Sequence, residues 1–581
     1  MSSRHAAIRQ SCDANNGNPG DTMNRTGKLA QLMRLTHLAA QCERTGMSAQ
    51  EAIEQDAHRC EAPQDAGRRR LAQGAVAAAV VTGAGLMSPV ASAKIGKLRR
   101  KVADAFDSGT SGGGVAIVGA GIAGLSCGYE LARHGIAAKV YEASGRVGGR
   151  CFSLRDVFPG QVAERGAEFI GASHHTMLGY ARAFGLQLED YSAVPGAAYY
   201  HFEGRTWTEA QVLDEFRGLG ASMREDLAGL GSPTADRHSE ADQFYDLMTL
   251  DEYLTLRGAG GLLRKVIGAA FRTEYGAGID ELGAIAFLRL AQSDRRGKFA
   301  QPGAHGGEGF HVVDGNDRIA TELAARLSSP VQVGHRLVAM RRMSGGAIRL
   351  TFDIGGRRVQ VDHDAVVLAL PFSVLRDVEL DESLDLPAWK RHAIQQSALG
   401  DSTKLMVGFR EPYWSLRHGS SGTGYGDRER LQSTWESNPT NAGERRAVLT
   451  AQIGGAQARA MDPRQLQREA FRFLNDLDIA LPGAYGSVQR TASGDVIAAM
   501  YNWSRNPLSK GAYTCQRPGY FTTIAHHEAK PVGKVLFAGE HTSSFYEWQG
   551  FMEGAALSGL RAAGEVMALA NTGVRRRFAV R

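Results

Sequence analysis

Gly119, Gly121 and Gly124 are spaced G-x-G-x-x-G. They follow the short β-branched run Val115–Val118 and open a stretch with helical apolar spacing at Leu125, Tyr129 and Leu131. In a strand–turn–helix of this kind the first glycine makes the tight turn. The second admits a pyrophosphate to the backbone, and the third lets the helix pack on the strand. The helix N-terminus then faces the phosphates. A second strand over Lys139–Tyr141 ends at Glu142, where a carboxylate accepts ribose hydroxyls. The chemistry these residues suit is dinucleotide binding. Arg146-Val147-Gly148-Gly149-Arg150 comes directly after the acid. Its two glycines and two guanidinium groups can wrap the far side of the same pyrophosphate and reach a flavin.

Other chemistry-bearing positions are scattered along the chain. Glu168 stands in Gly166-Ala167-Glu168-Phe169-Ile170-Gly171. Its carboxylate could face a cationic substrate, make a structural ion pair, or bond a cofactor's ribityl chain. Lys404 interrupts the apolar strand Ser402–Phe409, where an unpaired buried ammonium would cost several kcal/mol. It is therefore at an exposed edge or functional. Near the C-terminus, a strand over Val535–Phe537 runs into Gly539-Glu540, and Trp548-Gln549-Gly550-Phe551-Met552-Glu553-Gly554-Ala555 opens a helix expected to reach Ala568. Amides at such a helix start stabilise negative charge.

The R-x-G-G-R extension resembles the FAD-binding signature of the flavin amine oxidase superfamily. F-A-G-E followed by W-x-G-x-M-E-G-A resembles that superfamily's C-terminal FAD signature, and the likeness spans about residues 112–570. It implies noncovalent FAD held by Gly119, Gly121, Gly124, Glu142, Arg146, Gly148, Gly149, Arg150, the backbone of Val338, Gly539, Glu540 and Met552. Noncovalent binding follows because Ala512 stands where some members carry the linking cysteine. The resemblance also implies a Lys404 that reaches flavin N5 through a water, and an aromatic slot from Tyr513 and Phe551. Trp503, which starts W-S-R-N-P-L-S-K-G-A-Y, joins these as a candidate catalytic residue, and Glu168 and Phe169 are candidate substrate contacts. His311–Asp317 resembles the superfamily's h-x-G-G-N-D/Q turn, with Asp314 where glycine is usual.

The implied fold is α/β. A Rossmann-type FAD-binding domain is interleaved with an α+β substrate-binding domain, as in monoamine oxidases. The FAD domain is expected at 112–175, 306–372 and 498–570, and the substrate domain at 176–305 and 373–497. Residues 175–300 read as helix-rich, Val331–Val333 and Leu337–Met340 as strands, and Asp364–Leu370 as a buried parallel strand. The implied reaction is oxidation of a C–N bond with O2 as acceptor, giving hydrogen peroxide. The partner is a small amine or an L-amino acid, and a dehydrogenase or desaturase of the same fold is the other reading. An amino-acid oxidase needs a cation for the α-carboxylate; Arg165 and Arg505 are candidates, and no motif supports either.

The 581 residues are 43% hydrophobic and carry a net charge of +6, enough apolar material for a large core and no basic tract for nucleic acid. The 1–66 extension holds helical spacing at Leu29, Leu32, Leu35 and Leu38. Residues 67–93 resemble a twin-arginine signal segment: Arg68-Arg69-Arg70, an apolar run too short to span a membrane, and Ala91-Ser92-Ala93. Export is the expectation this carries, a cytoplasmic enzyme the alternative, and a homodimer is possible. Residues 571–581 form a basic tail. Cys127, Cys151 and Cys515 make neither a disulfide framework nor a metal site.

Overall fold

The computed structural model describes residues 113–578, apart from 191–195, 290–308, 439–444 and 544–547, and most of 34–61. The proposed signal segment at 67–93 lies outside the described residues.

A four-stranded parallel sheet forms the dinucleotide unit, in the order Ala138–Tyr141, Val115–Val118, Ala365–Leu368, Val535–Phe537. Val115–Val118 and Ala365–Leu368 are wholly buried, which is why both read as continuous apolar runs. Gly119 takes φ +106, and a Cβ there would lie 2.5 Å from the Ala369 carbonyl oxygen. A Cβ on Gly124 would lie 1.9 Å from the Gly119 oxygen, so only glycine lets the helix Ile122–Arg133 sit this close to the turn. The helix Met552–Phe578 crosses it just as closely: a Cβ on Gly559 would stand 2.2 Å from the Ala123 oxygen. Cys127 is buried between these layers, and desolvation pushes its thiol pKa up.

The second unit is a seven-stranded sheet in the order Ala498–Asn502, Ser402–Phe409, Ala447–Gly454, Leu431–Glu436, Ser420–Arg428, Ala197–Phe202, Arg205–Trp207. Lys404 pairs with Gln452 on one side and Tyr501 on the other, so all three project from one face of the sheet, with Lys404 on an interior strand. An edge position for Lys404 is thereby excluded.

Several expectations are corrected. The 175–300 stretch is helix-rich as expected, with His175–Ala183, Glu209–Gly229, Glu240–Asp246, Leu250–Leu256 and Gly261–Tyr275, and it adds the unexpected strands Leu188–Asp190, Ala197–Phe202 and Arg205–Trp207. Val331–Val333 is no strand; Gln332 makes a single bridge to Tyr141. Ala498–Asn502 is hydrogen-bonded to Ser402–Phe409, so the chain returns to the dinucleotide unit after Asn502 rather than at 498. His175–Ala183 belongs with that unit as well, because Glu553 caps the amides of Thr176 and Met177, each at 2.9 Å. The C-terminal helix starts at Met552 and carries the backbone of the basic tail as far as Phe578.

The described part of 34–61 lies on the second unit. Arg34 bridges Asp56 at 2.7 Å and ion-pairs Glu209 at the start of the helix Glu209–Gly229. Leu35, Leu38, Ala39 and Cys42 are buried in the core that contains Val212, Leu213 and Phe216. Leu29 and Leu32 fall outside the described residues. Among the described residues, no helix is long and apolar enough to cross a membrane. Leu38→Ala is expected to cost about 2–5 kcal/mol, read as a lower melting temperature at unchanged flavin content.

Candidate active site

A cavity of about 760 Å³ runs between the two units. One end is bordered by Gly119, Gly121, Glu142 and Val338, the other by Lys404, Tyr513, Phe551 and Trp435. Arg146, Gly148, Gly149 and Arg150 line it between them, as do Gly539, Glu540 and Met552. Trp503, Glu168 and Phe169 also face it. Of the candidate cofactor-binding, substrate-binding and catalytic residues named from the sequence, Gly124 alone does not line the cavity; its place is the helix–turn contact described above.

The dinucleotide end is built for a nucleotide. The Glu142 carboxylate is aimed by two amides, Ala120 and Ser144, each at 2.8 Å. Gly121 has nothing within 4 Å of a would-be Cβ, which leaves room for a phosphate against the backbone. Arg146 lies 3.7 Å above the Phe152 ring and donates to the carbonyls of Val147, Cys151 and Gly149. Arg150 donates to the Ala512 carbonyl and to Glu540. Burial opposes ionisation of Glu540, yet Arg150, His541 and Thr514 together hold its carboxyl below the usual range. Its other oxygen accepts from Thr514 and the Gly550 amide, so the same carboxylate ties the 539–542 turn to the start of the C-terminal helix. These groups fit FAD.

At the other end, Lys404 is committed. Its Nζ stands 2.6 Å from Glu168 Oε2, 2.7 Å from the Gly166 carbonyl and 3.2 Å from that of Glu164. Trp435 Nε1 donates to the second Glu168 oxygen at 2.8 Å. Of the open alternatives for Glu168, the structure shows the ion pair, with side-chain exposures of 8% for the lysine and 2% for the glutamate. Trp503 is turned the same way, its indole donating to the Arg165 carbonyl at 2.8 Å. The Tyr513 hydroxyl donates to the Thr273 carbonyl and accepts from Gln452 Nε2 at 2.7 Å. Phe551 packs edge-on against His174, 5.5 Å between ring centres.

Sequence reasoning missed Trp435, Gln452, Glu274 and Glu164. Gln452 carried a usable signal, a polar residue inside the buried strand Ala447–Gly454, as Lys404 did in its own strand. Glu164 is wholly buried beneath the lysine; desolvation pushes its carboxyl up to about 8 against hydrogen bonds from Asn316 and Ser153.

The family model for flavin-containing amine oxidoreductases matches residues 122–567. The chain belongs to that family. It is 24% identical over 463 residues to the flavin-containing amine oxidase B of Rattus norvegicus, covering 78% of this chain and 86% of the relative. It is also 24% identical over 475 residues to an L-amino-acid oxidase of Bungarus fasciatus, with the same coverage. In fold it resembles cyclohexylamine oxidase from Brevibacterium oxydans, with a TM-score of 0.66 at 21% identity, over 78% of this chain and 98% of the other. A putrescine oxidase bound to putrescine gives the same score and identity over 79% and 100%. The protein is thus a flavin oxidoreductase, with FAD as its cofactor.

Lys404→Met is expected to destabilise by about 3–5 kcal/mol, because it strands a buried Glu168 charge. Adding Glu168→Gln is expected to recover part of that loss in denaturant unfolding.

Proposed function

We propose that this oxidoreductase acts on a small primary or secondary amine without an α-carboxylate. The overall conversion is R–CH2–NH2 + O2 + H2O → R–CHO + NH3 + H2O2. The observation that carries the reading is the lining of the cavity. Beside Tyr513, Phe169 and Trp435 it is lined by Glu274 and by the Lys404–Glu168 pair, in which the ammonium is already matched by a carboxylate. Of the four arginines that line the cavity among the described residues, three are engaged elsewhere. Arg146 and Arg150 make the bonds described above, and Arg336 pairs with Asp353 at 2.7 Å. Arg505 is about half exposed, 3.8 Å from Asp462. Arg146, Arg150 and Arg336 are thus held away from the carboxylate of an amino acid.

FAD, when bound, supplies the hydride acceptor and passes the electrons to O2. The chain supplies the surroundings. Aromatic walls at Tyr513, Phe551, Phe169 and Trp435 exclude water and favour the neutral form of a bound amine, whose lone pair assists loss of hydride. Anchored through its hydroxyl to Thr273 and Gln452, the Tyr513 ring has one orientation to offer. Phe551 carries no hydroxyl, so its side of the slot is apolar. The Lys404–Glu168 pair is close to neutral as a unit and places an ammonium at the cavity wall without a net charge that would repel a cationic substrate.

The test is a peroxide assay of the holoenzyme with amines matched to their α-carboxylated counterparts, such as phenethylamine against L-phenylalanine. The amine is expected to be turned over at least tenfold faster in kcat/KM. Peroxide from the amino acids alone would establish an amino-acid oxidase. Anaerobic bleaching of the flavin without peroxide would establish a dehydrogenase.

A further inference from the structure

Asn316 lines no part of the cavity and is fully buried, yet it is bonded through every polar atom of its side chain. Its Nδ2 donates to the carbonyls of Glu168 at 2.6 Å and Ala167 at 3.3 Å. Its Oδ1 accepts from the Val312 amide at 2.9 Å, which fixes the side chain against the strand Phe310–Val312. Its own amide donates to Glu164 Oε1 at 2.7 Å, and Ser153 Oγ bonds the same carboxylate. The segment it holds is the one that carries both the partner and two of the acceptors of Lys404.

We propose that Asn316 is a positioning residue for the reaction, acting through the 164–168 segment to set the Lys404–Glu168 pair at the cavity wall. Two carbonyls held by one amide group fix the peptide planes on both sides of the Glu168 Cα. That fixes the direction in which its carboxylate leaves the backbone, and hence where the lysine Nζ is drawn. Without the Asn316 amide the Ala167 and Glu168 carbonyls lose the donor seen here and the segment is free to turn. A shift of the pair by an ångström is enough to cost one to two orders of magnitude in rate.

For its rate readout the inference rests on the amine-oxidase reading, so the test includes a measurement that needs no amine. Asn316→Ala is compared in the wild-type background and in the Lys404→Met/Glu168→Gln background, where the pair is absent. Asn316→Ser, which keeps one donor, serves if the alanine variant does not fold. In the wild-type background kcat is expected to fall about tenfold or more at unchanged flavin content, with the serine variant between. In the background without the pair, the same substitution is expected to change kcat by less than about twofold. The affinity of the bound flavin for sulfite, which adds to it directly, is expected to shift in the direction that Lys404→Met shifts it. Equal losses in both backgrounds would overturn the proposal. So would a lowered melting temperature with kcat and sulfite affinity unchanged. If no amine reduces the wild-type flavin, the amine reading fails, while the sulfite comparison still decides the role of Asn316.

Discussion

Five consecutive carbonyls, those of residues 164 to 168, lie inside this protein where no continuous helix or sheet ladder can satisfy them. Each needs a donor, because a buried peptide oxygen without one costs free energy comparable to a lost hydrogen bond. The donors are side chains from three distant parts of the chain: Lys404 for residues 164 and 166, Trp503 for 165, Asn316 for 167 and 168. Lys404 comes from the interior of the seven-stranded sheet and Trp503 from the point where the chain leaves it. Asn316 comes from the turn that precedes a helix of the dinucleotide unit. The active-site wall is therefore assembled where the two units meet, by the need of one irregular segment for hydrogen bonds.

The same requirement explains the charges. An ammonium that serves two carbonyls inside a protein still needs a counter-ion, and Glu168 supplies it from the segment being held. Trp435 then satisfies the second carboxylate oxygen, so the pair is fully bonded, as a buried ion pair must be if it is not to destabilise the fold. Glu164, one layer deeper and without a cation in bonding range among the described residues, is pushed toward its neutral form instead. Toward the cofactor the arrangement repeats with Arg150 and Glu540, where the guanidinium holds the carboxylate ionised against burial.

Much of this was legible in the sequence, and what was legible was local. The glycine spacing, Glu142 and the R-x-G-G-R extension lie within one strand–helix–strand unit, so their geometry follows from short-range rules. Lys404 was conspicuous because a charge inside an apolar strand demands an explanation. Its partner was not readable, because Glu168 is 236 residues away and any of several carboxylates could have served. Asn316 was visible only as part of a turn resembling a familiar motif, and nothing in its neighbours announces that its amide serves residues 167 and 168. The strands Ala197–Phe202 and Arg205–Trp207 did carry the aromatic enrichment of a sheet in Tyr199, Tyr200 and Phe202, but the helical spacing around them masked it.

The measurement that tests this account most directly is native-state hydrogen exchange on the holoenzyme, read across residues 164–171. The amides of Arg165, Ala167 and Ile170 donate to the carbonyls of Phe152, Arg150 and Phe310, and that of Gly171 to His174. If the segment is clasped on both its carbonyl and its amide sides, these amides will exchange as slowly as those of the buried strand Ser402–Phe409. Exchange at the rate of an exposed turn would contradict the account, because a segment that opens freely cannot hold Lys404 and Glu168 in place.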